Sequence, residues 1–137
     1  MKSSRLMIAV TLFVLVAPAL AQTGTLRATL PFAFNVGQQL MPAGEYRVVV
    51  DSNSVRIAPM DGQGVDLGPS SYLSPGPSQD VSPKLVFHRY GNHYFLAEVW
   101  TGDVNRGHKL MISSTEREYA RATKAESTTV AAARLPH

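Results

Sequence analysis

The stretch that decides the fold is LVFHRYGNHYFLAEVW, residues 85–100. Two runs rich in apolar and aromatic residues flank Gly91-Asn92, a dipeptide that favours a two-residue hairpin loop because both residues tolerate a positive φ. With this loop, Leu85 faces Glu98 across the hairpin. Side chains alternate between the faces of a strand, and both faces are largely apolar here. We therefore expect a central hairpin with protein packed on both sides.

Further strands are predicted upstream of the hairpin. Residues 25–36 alternate between apolar and polar side chains, with Pro31 removing one backbone donor from the ladder. Residues 45–50 and 55–58 form two more strands, and another begins at Val65 and ends at either Leu67 or Leu73. The class is an all-β, mainly antiparallel fold, as a small barrel or sandwich of about six or seven strands. The predicted core comprises Phe32, Phe34, Tyr46, Val48, Phe87, Phe95, Leu96 and Trp100.

The two ends of the chain carry different signals. Residues 1–21 resemble a secretory signal peptide: a basic start, an apolar centre and an Ala19-Leu20-Ala21 cleavage motif. Cleavage between Ala21 and Gln22 would release a protein of the periplasm or the medium with no transmembrane span. Near the other end, the capping box Ser113-Ser114-Thr115-Glu116 predicts a short surface helix from Glu116 to about Glu126. Residues 22–126 then form one β-rich domain, and residues 127–137, with few large apolar groups, are expected to be a disordered tail.

Composition narrows the possible functions. The chain has no cysteine, which excludes disulfides, thiolate catalysis and Cys-ligated zinc. Lys2 and Arg5 lie in the leader, and without them the 13 basic residues fall to 11, against 10 acidic ones. The mature chain is therefore close to neutral, and we expect no nucleic-acid partner. The Gly-, Pro- and Ser-rich residues 68–83 are predicted to be a flexible loop.

Histidine offers the main candidate for a metal site. His88 and His93 lie on one face of the hairpin, and His108 or Asp103 could complete a ligand set through imidazole or carboxylate groups. The alternative is that these imidazoles simply flank a turn. The H-x4-H spacing matches no strong metal motif, so we predict no cofactor and keep the three histidines as weak candidates.

Other chemistries have little support in the sequence. No G-x-S-x-G elbow, P-loop or dinucleotide-binding glycine pattern occurs. No spacing selects a carboxylate pair such as Glu45 and Glu98 for glycoside hydrolysis. Basic and aromatic residues mix around the hairpin as in single-strand binders, namely Lys84, Arg89, Tyr90, Tyr94 and Phe95. Export and the near-neutral charge favour core aromatics with a polar rim instead.

Three segments together resemble a group of small exported proteins that is abundant in acidobacterial genomes. They are residues 31–37 (PFAFNVG), residues 41–48 (MPAGEYRV) and the hairpin itself. The resemblance covers most of residues 32–118 and implies a bacterial, exported β domain. The motifs are strand and turn patterns, and no activity is known for the group, so they imply no functional residue.

The sequence favours an exported, non-enzymatic β domain that is either structural or binds a ligand or partner. A small apolar ligand and a cell-envelope protein both remain open as binding partners. One alternative is a small hydrolase or metal-dependent enzyme that uses the hairpin histidines. The other is an envelope interaction module that uses residues 68–83 and the tail. A cavity lined by the core aromatics would favour ligand binding, and a filled interior would favour a scaffold or surface recognition.

Overall fold

The computed structural model describes residues 24–52, 54–76, 80–102 and 106–135. The predicted leader and cleavage site, together with Asp103, lie outside these residues. Strands occupy most of the described chain, and one short helix, α1, spans Ser114–Ala122. The strands are β1 (Gly24–Leu30), β2 (Phe34–Val36), β3 (Gln39–Met41), β4 (Gly44–Val50), β5 (Ser54–Pro59), β6 (Val65–Leu73), β7 (Lys84–Tyr90), β8 (His93–Trp100), β9 (Gly107–Leu110), β10 (Glu126–Ala131) and β11 (Ala133–Arg134).

The strands form one mixed, mainly antiparallel sheet. Its order is β10-β7-β8-β9-β6-β5-β4-β1-β11, and the β2–β3 hairpin joins it through a parallel pairing of β2 with β8. The β-dominated class and the short C-terminal helix are confirmed. The strand number is higher than the six or seven predicted, and the sheet is not closed into a barrel, because β10 and β11 occupy its two ends.

The additional strands come from breaks that the sequence pattern did not locate. The predicted strand over residues 25–36 is divided after Leu30, where Pro31 cannot donate to the ladder, into β1 and β2. Gly37 adopts a φ of 59° and turns the chain directly back into β3. Glycine suits this turn because it adopts positive φ without steric cost. The result is the small β2–β3 hairpin, which the sequence pattern did not predict.

One core fills the space between the two halves of the sheet. One half contains β1, β4, β5 and β11, the other contains β2, β3 and β7 to β10, and β6 pairs with β5 and then with β9. The Phe34 ring makes edge contacts with Tyr46 of the first half and Phe87 of the second, at centroid distances of 5.0 and 5.6 Å. Of the eight residues predicted to form the core, Phe32 is half-buried and the remaining seven are buried. Packed aromatic rings therefore occupy the centre of the domain.

The central hairpin has a bulge that changes its predicted register. Phe87 faces Leu96 as expected, but Val86 faces Glu98 and Leu85 faces Val99, which leaves Ala97 as the extra residue. The predicted pairing of Leu85 with Glu98 is therefore wrong. A bulge places two residues of one strand opposite one of the other and shifts the alternation of faces beyond it. This shift moves Val99 into the core beside Leu85 and removes Glu98 from it.

Helix α1 covers the outer face of the hairpin. Ser113 is its N-cap, and the Ser113 hydroxyl accepts a hydrogen bond from the Glu116 N–H at 3.1 Å, as the capping box predicts. Tyr119 contacts the rings of Tyr90 and Phe95 with its own ring. The hairpin therefore has protein on both sides. The helix ends at Ala122, earlier than the predicted end near Glu126.

The C-terminal residues form two strands, and the predicted disordered tail over residues 127–137 is wrong for residues 127–134. Strand β10 pairs with β7 along its whole length, from Glu126 opposite Arg89 to Ala131 opposite Lys84. Strand β11 then pairs with β1, and the Leu135 N–H donates to the Thr25 carbonyl at 2.9 Å. The prediction failed because it counted large apolar side chains, whereas these residues are held mainly by backbone hydrogen bonds.

Residues 68–83 are only partly a loop. Strand β6 continues to Leu73 and pairs with β9 over its last four residues, from Ser70 opposite Leu110 to Leu73 opposite Gly107. The longer of the two predicted strands is therefore the one observed, and residues 68–73 are not a flexible loop. The following loop begins at Ser74, and residues 77–79 lie outside the described part of the chain.

Candidate binding groove

A surface groove of about 650 Å³ lies where the sheet divides. Strand β8 pairs with β9 over residues 98–100, whereas its earlier part meets β2 at Phe95. The β2–β3 hairpin and the β9–β6 pair therefore leave β8 in different directions. Phe95 and Leu96 line the groove between them, together with Leu67 of β6. We call this site the acidic groove, because both charged residues in its lining are acidic. Its remaining lining residues are Asn35, Val36, Gly37, Gln38, Gln39, Val65, Asp66, Leu110, Met111, Ile112, Ser113 and Glu116.

The rim of the acidic groove exposes large apolar side chains. Met111 and Ile112 line it and are 70% and 42% exposed. Both Met111 and Ile112 belong to the three-residue link between β9 and α1, which crosses from the sheet to its outer face. Exposed apolar side chains that cluster around a concave surface are typical of a binding site, whereas single ones are ordinary.

A buried carboxylate, Glu116, lies at one end of the groove. Glu116 is the third residue of α1 and is only 3% exposed. Carboxylates are stabilised in the first turn of a helix because the unpaired N–H groups and the helix dipole place positive potential there. The Ser113 cap fixes this turn and thereby the direction of the Glu116 side chain. The local sequence therefore explains how an acidic residue is held in a buried position.

Two hairpin side chains bind the same oxygen of Glu116. The Tyr90 hydroxyl donates to Oε2 at 2.8 Å, and His88 Nδ1 lies 2.8 Å from the same atom. This hydrogen bond raises the pKa of His88 above its ordinary value. Burial, assisted by the hydrogen bond to Glu116, raises the pKa of Tyr90 to about 12. The phenol therefore stays neutral and keeps its proton as a donor to the carboxylate throughout the physiological range.

The charge of the groove is negative. The charged side chains that line it are Asp66 and Glu116, both acidic, and its other lining residues are apolar or neutral. The Oδ1 atom of Asp66 accepts a hydrogen bond from the Gly68 N–H at 2.9 Å. Arg47 and Arg56 line a separate surface depression of about 440 Å³ on strands β4 and β5. The acidic groove thus combines apolar walls with carboxylates.

The three candidate histidines do not come together. His88 contacts Glu116, the ring of His93 contacts that of Tyr119 at 4.3 Å, and His108 Nδ1 lies 3.4 Å from the Ser70 hydroxyl. Burial lowers the pKa of His108. Within the described residues, no group of three or more His, Cys, Asp or Glu side chains has the geometry to hold a metal ion. The histidines therefore have three separate local roles.

The basic and aromatic residues of the hairpin also have local partners. Arg89 lies over the Tyr94 ring and Lys84 over the Trp100 ring, at 5.8 and 5.4 Å from the centroids. Tyr90 and Phe95 are buried, and both rings contact the Tyr119 ring of α1. The arrangement is a packed hairpin with cations over its outer rings.

Sequence reasoning identified Glu116 only as part of a capping box. Its contacts with His88 and Tyr90 join residues 28 and 26 positions apart. The groove itself was missed because it depends on how strands β2, β6, β8 and β9 diverge. The one available signal was Met111-Ile112, two large apolar residues placed in a link directly before a helix cap.

Comparisons with known proteins assign no relative to this chain. No protein-family model, curated protein or solved structure matches it. The resemblance to exported acidobacterial proteins therefore stays a prediction. Among the described residues, no helix is long and apolar enough to cross a membrane.

Proposed function

We propose that the protein is an exported, non-enzymatic β domain that binds a small apolar ligand in the acidic groove. The observation that carries this proposal is the exposure of Met111 and Ile112 beside a groove that also contains the buried carboxylate of Glu116. Exposed apolar groups next to a positioned polar group are the usual composition of a ligand site.

The size of the groove agrees with a small ligand. Its volume of about 650 Å³ lies within the range of roughly 300–1,000 Å³ that is usual for small-molecule sites. The interior offers less support for ligand binding, because Phe34, Tyr46 and Phe87 pack against one another there. These observations favour a ligand in the acidic groove over a ligand enclosed in the interior of the domain.

The geometry gives weaker support to a hydrolase. His88 uses Nδ1 to bind Glu116, but no serine or threonine hydroxyl of the described residues hydrogen-bonds to His88. His108 lies near the Ser70 hydroxyl, but within the described chain it has no carboxylate partner to orient it. Acyl-transfer chemistry needs a nucleophile that is hydrogen-bonded to a base, and an acidic group that is hydrogen-bonded to that base and orients it.

Export is part of the proposal and rests on residues 1–21, with cleavage before Gln22. An envelope protein as the partner is the alternative to a small ligand. That reading relied on residues 68–83 and the C-terminal tail as unstructured binding segments. Residues 68–73 belong to β6, and residues 126–134 include β10 and β11. Strand pairing therefore occupies part of the first segment and most of the second.

Binding of the neutral apolar dye Nile red tests the proposal. We expect the mature protein to bind the dye, and the double variant Met111→Ser, Ile112→Ser to bind it about tenfold more weakly, since it loses two apolar contacts. Met60→Ser is the matched control, because Met60 is also exposed but does not line the acidic groove. Equal binding by wild type and the double variant would contradict the proposed site.

A further inference from the structure

We propose that the ligand of the acidic groove is an organic cation: an apolar chain or ring system that carries one ammonium-type group and places it beside Oε1 of Glu116. This inference rests on the proposed function, because it specifies the ligand class of the same site. It follows from the hydrogen bonding of Glu116, the charges of the groove and the apolar character of the rim.

The two carboxylate oxygens of Glu116 have different surroundings. Oε2 accepts from Tyr90 and contacts His88, whereas Oε1 accepts no hydrogen bond from the described residues. No buried side-chain oxygen or nitrogen in the described part of the chain lacks a partner. Oε1 must therefore keep some accessible surface, and Glu116 lines the acidic groove. A carboxylate oxygen with free lone pairs is consequently available to a molecule in the groove.

Contacts on Oε2 also hold this carboxylate in place. His88 and Tyr90 belong to the central hairpin, and Glu116 is fixed from the other side by the Ser113 cap of α1. A ligand cation would meet an acceptor that needs no rearrangement, so little conformational entropy is lost on binding. Charge-assisted hydrogen bonds of this kind are about twice as strong as neutral ones.

The charged residues that line the groove favour a cation over an anion. Asp66 is the second acidic lining residue, and its Oδ1 is used by the Gly68 N–H, which leaves Oδ2 without a hydrogen bond from the described residues. No lysine or arginine of the described residues lines the groove. The basic neighbours of these carboxylates, His88 at Oε2 of Glu116 and Arg56 opposite Asp66, do not line the groove. An anionic head group in the groove would therefore meet two carboxylates first, whereas an ammonium group would be attracted by both. The apolar remainder of the ligand would cover Met111 and Ile112.

Three probes with the same ten-carbon chain separate charge from apolarity: decylamine, decan-1-ol and decanoate. Binding to the mature protein is measured by calorimetry at pH 7.5, with each probe below its aggregation concentration. We expect decylamine to bind at least about tenfold more tightly than decan-1-ol, and decanoate to bind most weakly. A tenfold ratio corresponds to about 1.4 kcal/mol.

Variants connect that preference to the carboxylates. Glu116→Gln is expected to lower the affinity for decylamine severalfold, and thereby to reduce the ratio of decylamine to decan-1-ol affinity. Glu118→Gln is the matched control, because Glu118 is exposed on the same helix and does not line the groove. If Glu116→Gln does not fold, Asp66→Asn should still lower the preference for decylamine. The probe series on the wild-type protein decides in either case whether the groove prefers a cation.

The outcomes distinguish the two levels of the proposal. Equal affinities for the three probes, or tighter binding of decanoate, would overturn the cation preference while leaving an apolar binding groove intact. Absence of binding by all three probes would overturn the proposed function together with this inference. A preference for decylamine that persists unchanged in a folded Glu116→Gln variant would show that Glu116 does not receive the cation.

Discussion

The Oε2 atom of Glu116 lies 2.8 Å from Nδ1 of His88, and this contact joins helix α1 to the central hairpin. Glu116 is nearly fully buried, whereas the His88 side chain is partly accessible. The same oxygen accepts the hydroxyl of Tyr90. A buried carboxylate without donors would cost several kcal/mol, so these two donors allow Glu116 to occupy its place beside the groove. The three residues, Glu116, His88 and Tyr90, are called the Glu116 cluster below.

Removing one donor from the Glu116 cluster should destabilise the domain measurably. Tyr90→Phe leaves the ring packing intact but deletes the hydroxyl that donates to Oε2, and we expect a loss of about 1–3 kcal/mol. Tyr94→Phe is the control, since the Tyr94 hydroxyl makes no hydrogen bond to the described residues; its cost should stay within about 0.5 kcal/mol. Urea denaturation of both variants measures the difference. Equal stabilities would mean that the hydroxyl of Tyr90 adds nothing to the fold.

The contribution of His88 should depend on pH. The hydrogen bond to Glu116 raises the pKa of His88 above 6.5 in the folded protein. When folding raises the pKa of a group, the protonated group stabilises the folded protein. This stabilisation is complete below the pKa of the group in the unfolded chain, and it is lost as the pH rises through the pKa in the folded protein. The difference in unfolding free energy between wild type and His88→Gln should therefore be larger at pH 6 than at pH 9. Denaturant titrations at the two pH values measure it, and a difference that grows with pH would contradict this assignment.

The hairpin loop should tolerate substitution at Asn92 but not at Gly91. Gly91 has a φ of 62°, and no residue other than glycine has a positive φ among the described residues. The loop therefore needs positive φ at its first position only, and the sequence-based expectation that both positions adopt it is wrong for Asn92. Gly91→Ala should cost about 1–2 kcal/mol, and Asn92→Ala less than about 0.5 kcal/mol. Thermal unfolding of the pair measures this, and the opposite ranking would refute the turn geometry.

Removing the C-terminal strands should destabilise the whole sheet. Truncation after Lys124 deletes β10 and β11, which pair with β7 and β1 at the two ends of the sheet. We expect the melting temperature to fall by roughly 10 °C or more, and a synthetic peptide of residues 125–137 added in trans to restore part of the loss. The sequence alone predicts that truncation after Glu126 leaves the melting temperature almost unchanged, because the removed segment has few large apolar groups. A truncated protein as stable as the full chain would support that earlier expectation.

Local sequence patterns predicted a large part of the fold. The alternation of apolar residues over 85–100 indicated the hairpin and its two-sided burial, and the capping box indicated where α1 begins. These features depend on neighbouring residues, so their signals lie close together in the chain. The predicted leader over residues 1–21 stays a prediction.

The features that sequence reasoning missed depend on distant parts of the chain. The bulge at Ala97 has no glycine to mark it, and it follows from the packing of Val99 against the core. Strands β10 and β11 exist because β7 and β1 offer them unpaired edges. The Glu116 cluster and the acidic groove likewise require that α1, the hairpin and the β2–β3 hairpin meet in space. No spacing of residues in the sequence encodes such a meeting.

Nuclear magnetic resonance of the methyl and amide groups shows whether the ligand binds in the acidic groove, because it locates the bound molecule. Decylamine is titrated into the isotope-labelled mature protein. We expect the chemical-shift changes to concentrate at the acidic groove, at the methyl groups of Leu96, Leu110 and Ile112 and the amide of Glu116, while the residues of the depression lined by Arg47 and Arg56 stay unchanged. Shifts centred on that depression or on another surface, or no shifts at all, would contradict the assignment of the acidic groove as the binding site.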